Sequence, residues 1–214
     1  MNNSKNLLTN KIKIMIIFFL LVLSFCVVFF SGLSSKDSLE SLESQGYLNT
    51  DIGIDFYKFN LLRLDTGTLF DKQKKYLSSD DLKDKPYLLN FWATWCGPCR
   101  VEFNALETLW ASGKNIFDPK NPESFLVVVG VNIAEDPILI KKFIQEKKAT
   151  FEILLDPDDL LSREYNIRGI PVTLLIYNDK VYYKWTGPIR AEQVYRQFSI
   201  LKKDVIEKRN SYDE

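Results

Sequence analysis

The chain has 214 residues, 46% of them hydrophobic, which is enough for one globular domain with a full core. Lys+Arg and Asp+Glu both number 28, so the sequence lacks the basic excess expected of a nucleic-acid-binding protein. Histidine is absent, which excludes Ser–His and Cys–His catalysis and imidazole metal sites. The three cysteines, a close pair and one isolated thiol, indicate a redox or metal function rather than a disulfide-stapled scaffold.

The chain opens with a basic segment and then a long apolar run. Residues 1–13 carry three lysines and no acid, and residues 14–32 carry no charge. Such a run approaches the ~20 residues that a spanning helix needs and exceeds the apolar core of a cleaved signal peptide. We predict a single-pass signal anchor at 14–32, with cleavage near 32–34 as the alternative. The lysines place residues 1–13 in the cytoplasm and the globule outside.

A serine-rich polar stretch, residues 33–50, follows the apolar run and is predicted to be a linker. The predicted folded domain is then 51–214. Cys26 lies inside the apolar run and is interpreted as a small apolar residue of the spanning helix.

The predicted elements of the domain alternate between strands and helices. Apolar runs and turn signals predict strands at 56–64, 87–92, 125–131, 151–155, 172–177 and 181–185. Caps and helical spacing predict a short turn at 78–82 and helices at 137–148, 158–165 and 191–208. A further helix after the cysteine pair is predicted from apolar residues at helical spacing: Val101, Phe103, Leu106, Leu109 and Trp110. Alternation followed by a hairpin predicts an α/β fold with a mixed central sheet flanked by helices.

The chemistry is predicted at Cys96-Gly97-Pro98-Cys99, between a buried strand and a helix. A cysteine at a helix N-terminus lies beside unpaired N–H groups and the positive end of the helix dipole, and both favour the thiolate. Pro98 suits the first helical turn. We therefore predict that Cys96 attacks a partner's disulfide and that Cys99 then resolves the mixed disulfide.

Metal-based interpretations of the cysteine pair are weaker. A zinc site needs two further ligands, and the chain has no histidine and no second cysteine pair. Covalent haem attachment needs a histidine where Arg100 stands. A copper(I)-binding module, with two thiolates as ligands, stays open as the second hypothesis. Methionine is a further soft ligand for copper(I), but both methionines, Met1 and Met15, lie in the N-terminal tail. No metal site and no cofactor are predicted.

Two motifs carry a resemblance to a known family. Trp95-Cys96-Gly97-Pro98-Cys99 together with Gly169-Ile170-Pro171 resembles the thioredoxin superfamily, and the string 90–103 (NFWATWCGPCRVEF) resembles its TlpA/ResA/DsbE branch of membrane-anchored reductants. The likeness spans about residues 52–205. It implies a thioredoxin fold with an extra strand–helix insertion, which residues 125–165 would supply.

The resemblance also implies roles for individual residues. Pro171 is expected to be cis, with Ile170 offering backbone hydrogen bonds to an extended partner; X–Pro bonds are the only common cis sites. Glu102 is predicted to accept the proton of Cys99, which precedes it by three residues and so lies on the same side of the helix. The alternative is that Glu102 is an ordinary solvated carboxylate. The predicted substrate-contact residues are Trp95, Gly97, Pro98, Ile170 and Pro171.

Two further residues have alternative interpretations. Trp95 is expected to be a partly exposed platform beside Cys96; core packing is its alternative, and the two are compatible. Asn90 is expected to satisfy local hydrogen bonds. The Gly97-Pro98 dipeptide equals that of thioredoxin, whose potential is about −270 mV, and this favours reduction of partners.

The function that the resemblance implies is dithiol–disulfide exchange on the periplasmic or outer face of the bacterial cytoplasmic membrane. The expected substrates are protein disulfides, either those of apocytochrome c during cytochrome c maturation or a general set. The cysteine pair would be re-reduced by a membrane electron donor of the DsbD/CcdA type.

Overall fold

Seven strands form one mixed sheet in the computed structural model, which describes residues 54–64, 74–114 and 125–203. The strands are β1 (Asn60–Leu64), β2 (Tyr76–Ser78), β3 (Tyr87–Trp92), β4 (Val127–Ile133), β5 (Glu152–Asp156), β6 (Val172–Tyr177) and β7 (Lys180–Thr186). The helices are α1 (Gly97–Lys114), α2 (Pro137–Lys147), α3 (Leu160–Glu164) and α4 (Ala191–Leu201), with a 3-10 turn at Ser79–Leu82. The strand order is β2-β1-β5-β4-β3-β6-β7.

The centre of the sheet is parallel and its flanks are antiparallel. Strands β3, β4 and β5 run parallel, whereas β1 and β6 pair with them antiparallel. All six residues of β3 are buried, as expected for a central strand covered on both faces. Because β3 and β4 end at the same edge, the loops that follow them both emerge there, and the first of these loops carries the cysteine pair.

An aromatic cluster packs α1 and α2 against the sheet. The ring of Phe103 in α1 lies 4.6 Å from Trp92 in β3 and 4.9 Å from Phe143 in α2, between ring centroids. The predicted apolar positions of α1 are buried except Val101, which is 72% exposed. These contacts fix the start of α1, and with it the cysteine pair, relative to β3 and α2.

The predicted fold class is confirmed, with differences at the ends of elements. The first strand begins at Asn60 rather than residue 56, and sequence patterns missed the three-residue strand β2. Strand β4 extends to Ile133, because its pairing with β3 starts at the Tyr87–Val127 register and continues past residue 131. The last helix is described to Leu201, and its predicted extension to residue 208 runs outside the described residues.

The segment between α1 and β6 holds two strand–helix pairs, β4–α2 and β5–α3, within the predicted insertion region 125–165. The buried carboxylate of Asp156 at the end of β5 accepts hydrogen bonds from the backbone N–H groups of Leu160, Leu161 and Ser162, which starts α3. The predicted anchor 14–32 and linker 33–50 lie outside the described residues. In the described part of the chain, no helix is both long enough and apolar enough to cross a membrane.

Candidate active site

Cys96 and Cys99 form a disulfide at the beginning of α1, with their Cα atoms 5.3 Å apart. Cys96 is 5% exposed and Cys99 is fully buried. The backbone N–H of Cys99 points at Sγ of Cys96, at an N–S distance of 3.2 Å. This N–H belongs to the unpaired donors of the helix N-terminus, so it is placed to stabilise negative charge on Cys96 Sγ after reduction.

The loop before β6 lies beside the sulfur of Cys96. The peptide bond between Ile170 and Pro171 is cis, as the resemblance implied. The carbonyl oxygen of Ile170 lies 3.7 Å from Cys96 Sγ. The structure therefore brings the backbone of Ile170, predicted to pair with a partner, next to the atom predicted to react.

Exposed residues adjoin the two buried cysteines and form a surface around them. Trp95 is 73% exposed, so core packing as the alternative for this residue is wrong. Gly97 and Pro98 are exposed as well, while both cysteines are buried. A partner segment can thus reach the sulfur of Cys96 only by lying on this surface.

Glu102 lies inside the protein, one helical turn after Cys99, and is 1% exposed. The solvated carboxylate considered as its alternative is therefore wrong. One carboxylate oxygen accepts a hydrogen bond from Asn90 Nδ2 (2.8 Å) and the other accepts one from the backbone N–H of Ile189 (3.1 Å). Burial raises the pKa of Glu102 to about 7, and the two hydrogen bonds act in the opposite direction. Its carboxyl group is thus poised to take up or release a proton near neutral pH.

Asn90 joins Glu102 to the sheet. It is fully buried in β3, and its Nδ2 also donates to Oγ1 of Thr173, its register partner in β6 (2.9 Å). Asn90 Oδ1 finds no hydrogen-bond partner among the described residues. The expectation of local hydrogen bonds is met, but sequence reasoning missed Glu102, Thr173 and Ile189 as members of one buried cluster.

Comparison with known proteins identifies the family. A family model for AhpC/TSA matches residues 53–203. The chain belongs to the AhpC/TSA family. It is 29% identical over 135 residues to the thiol-disulfide oxidoreductase ResA of Bacillus subtilis (strain 168), covering 63% of this chain and 71% of that protein. It is 30% identical over 125 residues to ResA of Bacillus cereus (strain ZK / E33L), covering 58% of this chain and 68% of that protein.

Solved structures agree with these relatives. The thiol:disulfide interchange protein DsbE from Chlorobium tepidum superposes with a TM-score of 0.56 at 27% identity, over 69% of this chain and 96% of that chain. StoA from Bacillus subtilis superposes with a TM-score of 0.53 at 24% identity, over 67% of this chain and 96% of that chain, and supports the fold. The predicted resemblance to the TlpA/ResA/DsbE branch is confirmed, and the protein is a thiol-disulfide oxidoreductase with a thioredoxin fold.

In this AhpC/TSA-family chain, Glu135 holds the loop that precedes Cys96. Its carboxylate accepts hydrogen bonds from the backbone N–H and the hydroxyl of Thr94 and from Asn132 Nδ2, with N–O distances of 2.7 Å for both nitrogens. Sequence reasoning missed this residue. The sequence signal that could have identified Glu135 was its position directly after strand β4. Parallel strands bring the loops at their carboxyl ends together, so the loop after β4 lies near the loop after β3.

Arg100 connects the start of α1 to α2. Its guanidinium lies 4.9 Å above the ring centroid of Phe143, pairs with Glu146 at 2.9 Å and donates to the carbonyl of Thr94 at 3.3 Å. The ion pair with Glu146 is largely exposed and adds little stability by itself. Its effect is to place α2 directly beside the active-site turn of this oxidoreductase.

No group of three or more His, Cys, Asp or Glu side chains in the described ranges could hold a metal ion. A copper(I) site made of two thiolates has fewer ligands than such a group, so the copper-binding hypothesis is not tested by this finding.

Proposed function

We propose that this chain is a membrane-anchored oxidoreductase that reduces the disulfides of protein substrates outside the cytoplasmic membrane. The observation that carries the proposal is the Cys99 N–H directed at Cys96 Sγ, with the Ile170 backbone beside the same sulfur. The uncharged run 14–32 behind three lysines supports the anchor and its orientation.

The proposed reaction moves two electrons from the cysteine pair to the substrate. The Cys96 thiolate attacks one sulfur of the substrate disulfide, a mixed disulfide forms, and the other substrate sulfur leaves as a thiolate. Cys99 then gives its proton to Glu102 and attacks Cys96 Sγ. The second substrate sulfur leaves, and the Cys96–Cys99 disulfide seen in the structure is the oxidised product.

For the substrate, we propose the haem-binding cysteines of apocytochrome c, with general reduction of extracytoplasmic disulfides as the wider form. This proposal is supported by the likeness of residues 90–103 to the TlpA/ResA/DsbE branch. Oxidised enzyme would be recycled by a membrane donor of the DsbD/CcdA type. The exposed residues Trp95, Gly97 and Pro98 beside Cys96 offer a contact surface to a polypeptide substrate.

Substrate trapping tests the proposal in cells that express the full chain. A Cys99→Ser variant should accumulate mixed disulfides, because the captured substrate can no longer be released, and mass spectrometry should find apocytochrome c among them. The matched control Cys96→Ser/Cys99→Ser should capture nothing. Capture of other extracytoplasmic proteins alone would retain the oxidoreductase and reject the cytochrome pathway.

Two further measurements separate the remaining alternatives. A membrane-impermeant thiol reagent should label the reduced cysteine pair in intact cells, and labelling only after lysis would contradict the proposed orientation. Copper(I) titration of the reduced full chain, set beside reduction of insulin disulfides, distinguishes the copper-binding hypothesis. Tight copper(I) binding without disulfide reduction would favour the copper module.

A further inference from the structure

A tight turn leads from β3 into the cysteine pair. The N–H of Cys96 donates to the carbonyl of Ala93 at 3.2 Å, so residues 93–96 form a β-turn with Thr94 and Trp95 at its two corners. The turn itself uses only the N–H of its last residue. The N–H of Thr94 therefore needs a partner from another part of the chain.

Every polar group of Thr94 is bound from outside the turn. The carboxylate of Glu135 accepts hydrogen bonds from the Thr94 N–H, at 2.7 Å, and from its hydroxyl. The Thr94 carbonyl accepts a hydrogen bond from the guanidinium of Arg100 at 3.3 Å. Asn132, which is 1% exposed, donates to the same carboxylate oxygen as the Thr94 N–H. Glu135 is thus fixed to the end of β4 and in turn fixes the first corner of the turn.

The backbone before Glu135 is strained. Ala134 has a φ of 52°, in the left-handed region that costs conformational energy for any residue with a Cβ atom. Its N–H donates to the carbonyl of Asp156 at the end of β5, at 3.0 Å, which holds the chain in this conformation. Strain of this kind persists where the surrounding structure imposes it, and it is concentrated at functional sites. Here the strained residue directly precedes the one that binds Thr94.

The position of Trp95 depends on this turn. The side chain is 73% exposed, so packing against the domain does little to fix it. Its backbone lies between Thr94, which Glu135 binds, and Cys96, whose N–H closes the turn. The carbonyl of Ile170 lies 3.7 Å from Cys96 Sγ. A polypeptide that contacts both Trp95 and Ile170 needs the turn in one position, whereas a small disulfide needs only the sulfur.

We propose that Glu135 is a positioning residue for polypeptide substrates, because it fixes the 93–96 turn and so holds Trp95 where a bound polypeptide contacts it. This inference rests on the proposed reduction of polypeptide disulfides. The hydrogen bonds of Glu135, rather than its charge, carry the effect. Both nitrogens donate to one carboxylate oxygen, and the Thr94 hydroxyl, which can donate or accept, meets the other. A glutamine at this position can therefore make the same contacts.

A second glutamate makes the same pair of contacts at the other end of the sheet. Glu107 accepts hydrogen bonds from the N–H of Thr150, at 2.8 Å, and from its hydroxyl, at 2.7 Å. Thr150 lies just before the start of β5, whereas Glu135 follows the end of β4, and these two strands run parallel. The two glutamate–threonine pairs therefore lie at opposite ends of the parallel strands. Glu107→Met is the matched control for Glu135→Met.

The test compares two rate constants, those for oxidation of the reduced full chain in a zwitterionic detergent by a disulfide-bridged peptide and by hydroxyethyl disulfide. Glu135→Met should lower the peptide rate constant about tenfold, because misplacing a group that contacts the substrate slows the reaction. The rate constant for hydroxyethyl disulfide should fall much less. Glu135→Gln should keep most of the peptide rate, and Glu107→Met should leave the ratio of the two constants as in the parent chain. In a Trp95→Ala background, Glu135→Met should have little further effect on the peptide rate, because it acts through that side chain.

Fluorine NMR of the full chain labelled with 5-fluorotryptophan measures the position of Trp95 without any substrate. The Trp95 resonance, identified by its loss in Trp95→Phe, should broaden or split in Glu135→Met and stay as in the parent chain in Glu135→Gln and Glu107→Met. Thr94→Val removes the hydroxyl contact and keeps the backbone one, so it should show smaller changes of the same kind in both measurements. This variant serves as the test if Glu135→Met does not fold.

The outcomes separate this inference from the function on which it rests. Equal losses with the peptide and with hydroxyethyl disulfide, or equal losses in Glu135→Met and Glu107→Met, would overturn the positioning role and keep the oxidoreductase. A full loss in the Trp95→Ala background would overturn it as well. A Glu135→Gln variant as slow as Glu135→Met would assign the effect to the charge and reject the hydrogen bonds. A parent chain that reduces neither disulfide would overturn the proposed function itself.

Discussion

Two glutamates are buried among the residues that the structure describes, and their carboxylates have opposite kinds of hydrogen-bond donor. Glu152 in β5 is fully buried and receives the guanidinium of Arg63 from β1, with Nε at 3.0 Å and Nη2 at 2.9 Å. Glu102 in α1 is buried to the same degree, yet the donors that the structure shows on it, Asn90 Nδ2 and the N–H of Ile189, are neutral.

The difference in donors gives the two carboxyl groups different roles: Glu152 stabilises the fold, and Glu102 can exchange a proton near neutral pH. A bidentate guanidinium compensates a buried carboxylate, so the Arg63–Glu152 pair joins two strands as a fixed ion pair. Neutral donors offset only part of the cost of burying the ionised carboxylate, and burial therefore raises the pKa of Glu102 to about 7. The uncompensated carboxyl group lies one helical turn from Cys99, where a proton has to move, and the compensated one belongs to the β1–β5 pairing.

The largest effect should come from breaking the compensated pair. Arg63→Met leaves Glu152 buried without its cation, which should lower the free energy of unfolding by about 3–5 kcal/mol in urea titrations. Disulfide reduction by the remaining folded protein should be unchanged, because both residues belong to the β1–β5 pairing, which β4 separates from β3. Arg63→Met/Glu152→Leu should recover most of the loss, and a double variant as unstable as Arg63→Met would show that packing rather than charge is at stake.

The second effect is a dependence of stability on pH that comes from Glu102. Its pKa is 4.5 ordinarily and about 7 in the folded chain. Below pH 4.5 the group is protonated in both the folded and the unfolded chain, and its contribution to stability is fully present. As the pH rises towards 7 the unfolded chain releases the proton more readily, so the free energy of unfolding should fall by roughly 3 kcal/mol at 1.36 kcal/mol per pH unit.

Urea titrations of the full chain between pH 4.5 and 8 measure this loss. Glu102→Gln cannot ionise, so its stability should be flatter over the same range. Glu107→Gln is the matched control. Glu107 lies on α1 as Glu102 does, is only partly buried and accepts hydrogen bonds from Thr150, so its replacement should leave the slope as in the parent chain. Equal slopes for the parent and Glu102→Gln would contradict the raised pKa.

The sequence predicted the reactive end of the molecule well because local chemistry determines it. Pro98 directly after a buried strand and a cysteine favours a helix start at that point, and α1 begins at Gly97. Pro171 before an apolar strand was sufficient, with the resemblance, to predict the cis bond. Both signals lie within a few residues of the feature they encode.

What sequence reasoning missed depends on contacts between distant segments. The backbone N–H of Ile189 reaches Glu102 across 87 residues, and a backbone donor leaves no mark in a side-chain pattern. Glu135 reaches Thr94 across 41 residues. Asn90 did stand out as the single polar residue of an apolar run, but the run does not indicate that its partner is a helical carboxyl group.

A third effect concerns the rate of resolution. If Glu102 accepts the proton of Cys99, Glu102→Gln should slow the release of a mixed disulfide about 10²-fold at pH 8, within the range for a positioned general base. The rate in the parent chain should rise through pH 7 as Glu102 ionises, and the variant should lack that rise. Stopped-flow resolution of a preformed mixed disulfide measures it, and an unchanged pH profile would restrict Glu102 to packing.

The smallest effect should come from replacing Asn90, whose amide hydrogen bond lowers the pKa of Glu102. Asn90→Ala removes the Nδ2 donor that favours the ionised carboxylate, so the pKa of Glu102 should rise further, by about one unit for one such hydrogen bond. Thr173→Val removes the other acceptor of the same Nδ2 and keeps the Asn90–Glu102 contact, so it should leave this pKa nearly unchanged. Carbon-13 NMR titration of the labelled glutamate carboxyl groups measures both variants. A pKa that moves equally in the two would mean that cavity formation, rather than the amide donor, controls the carboxyl group beneath the disulfide.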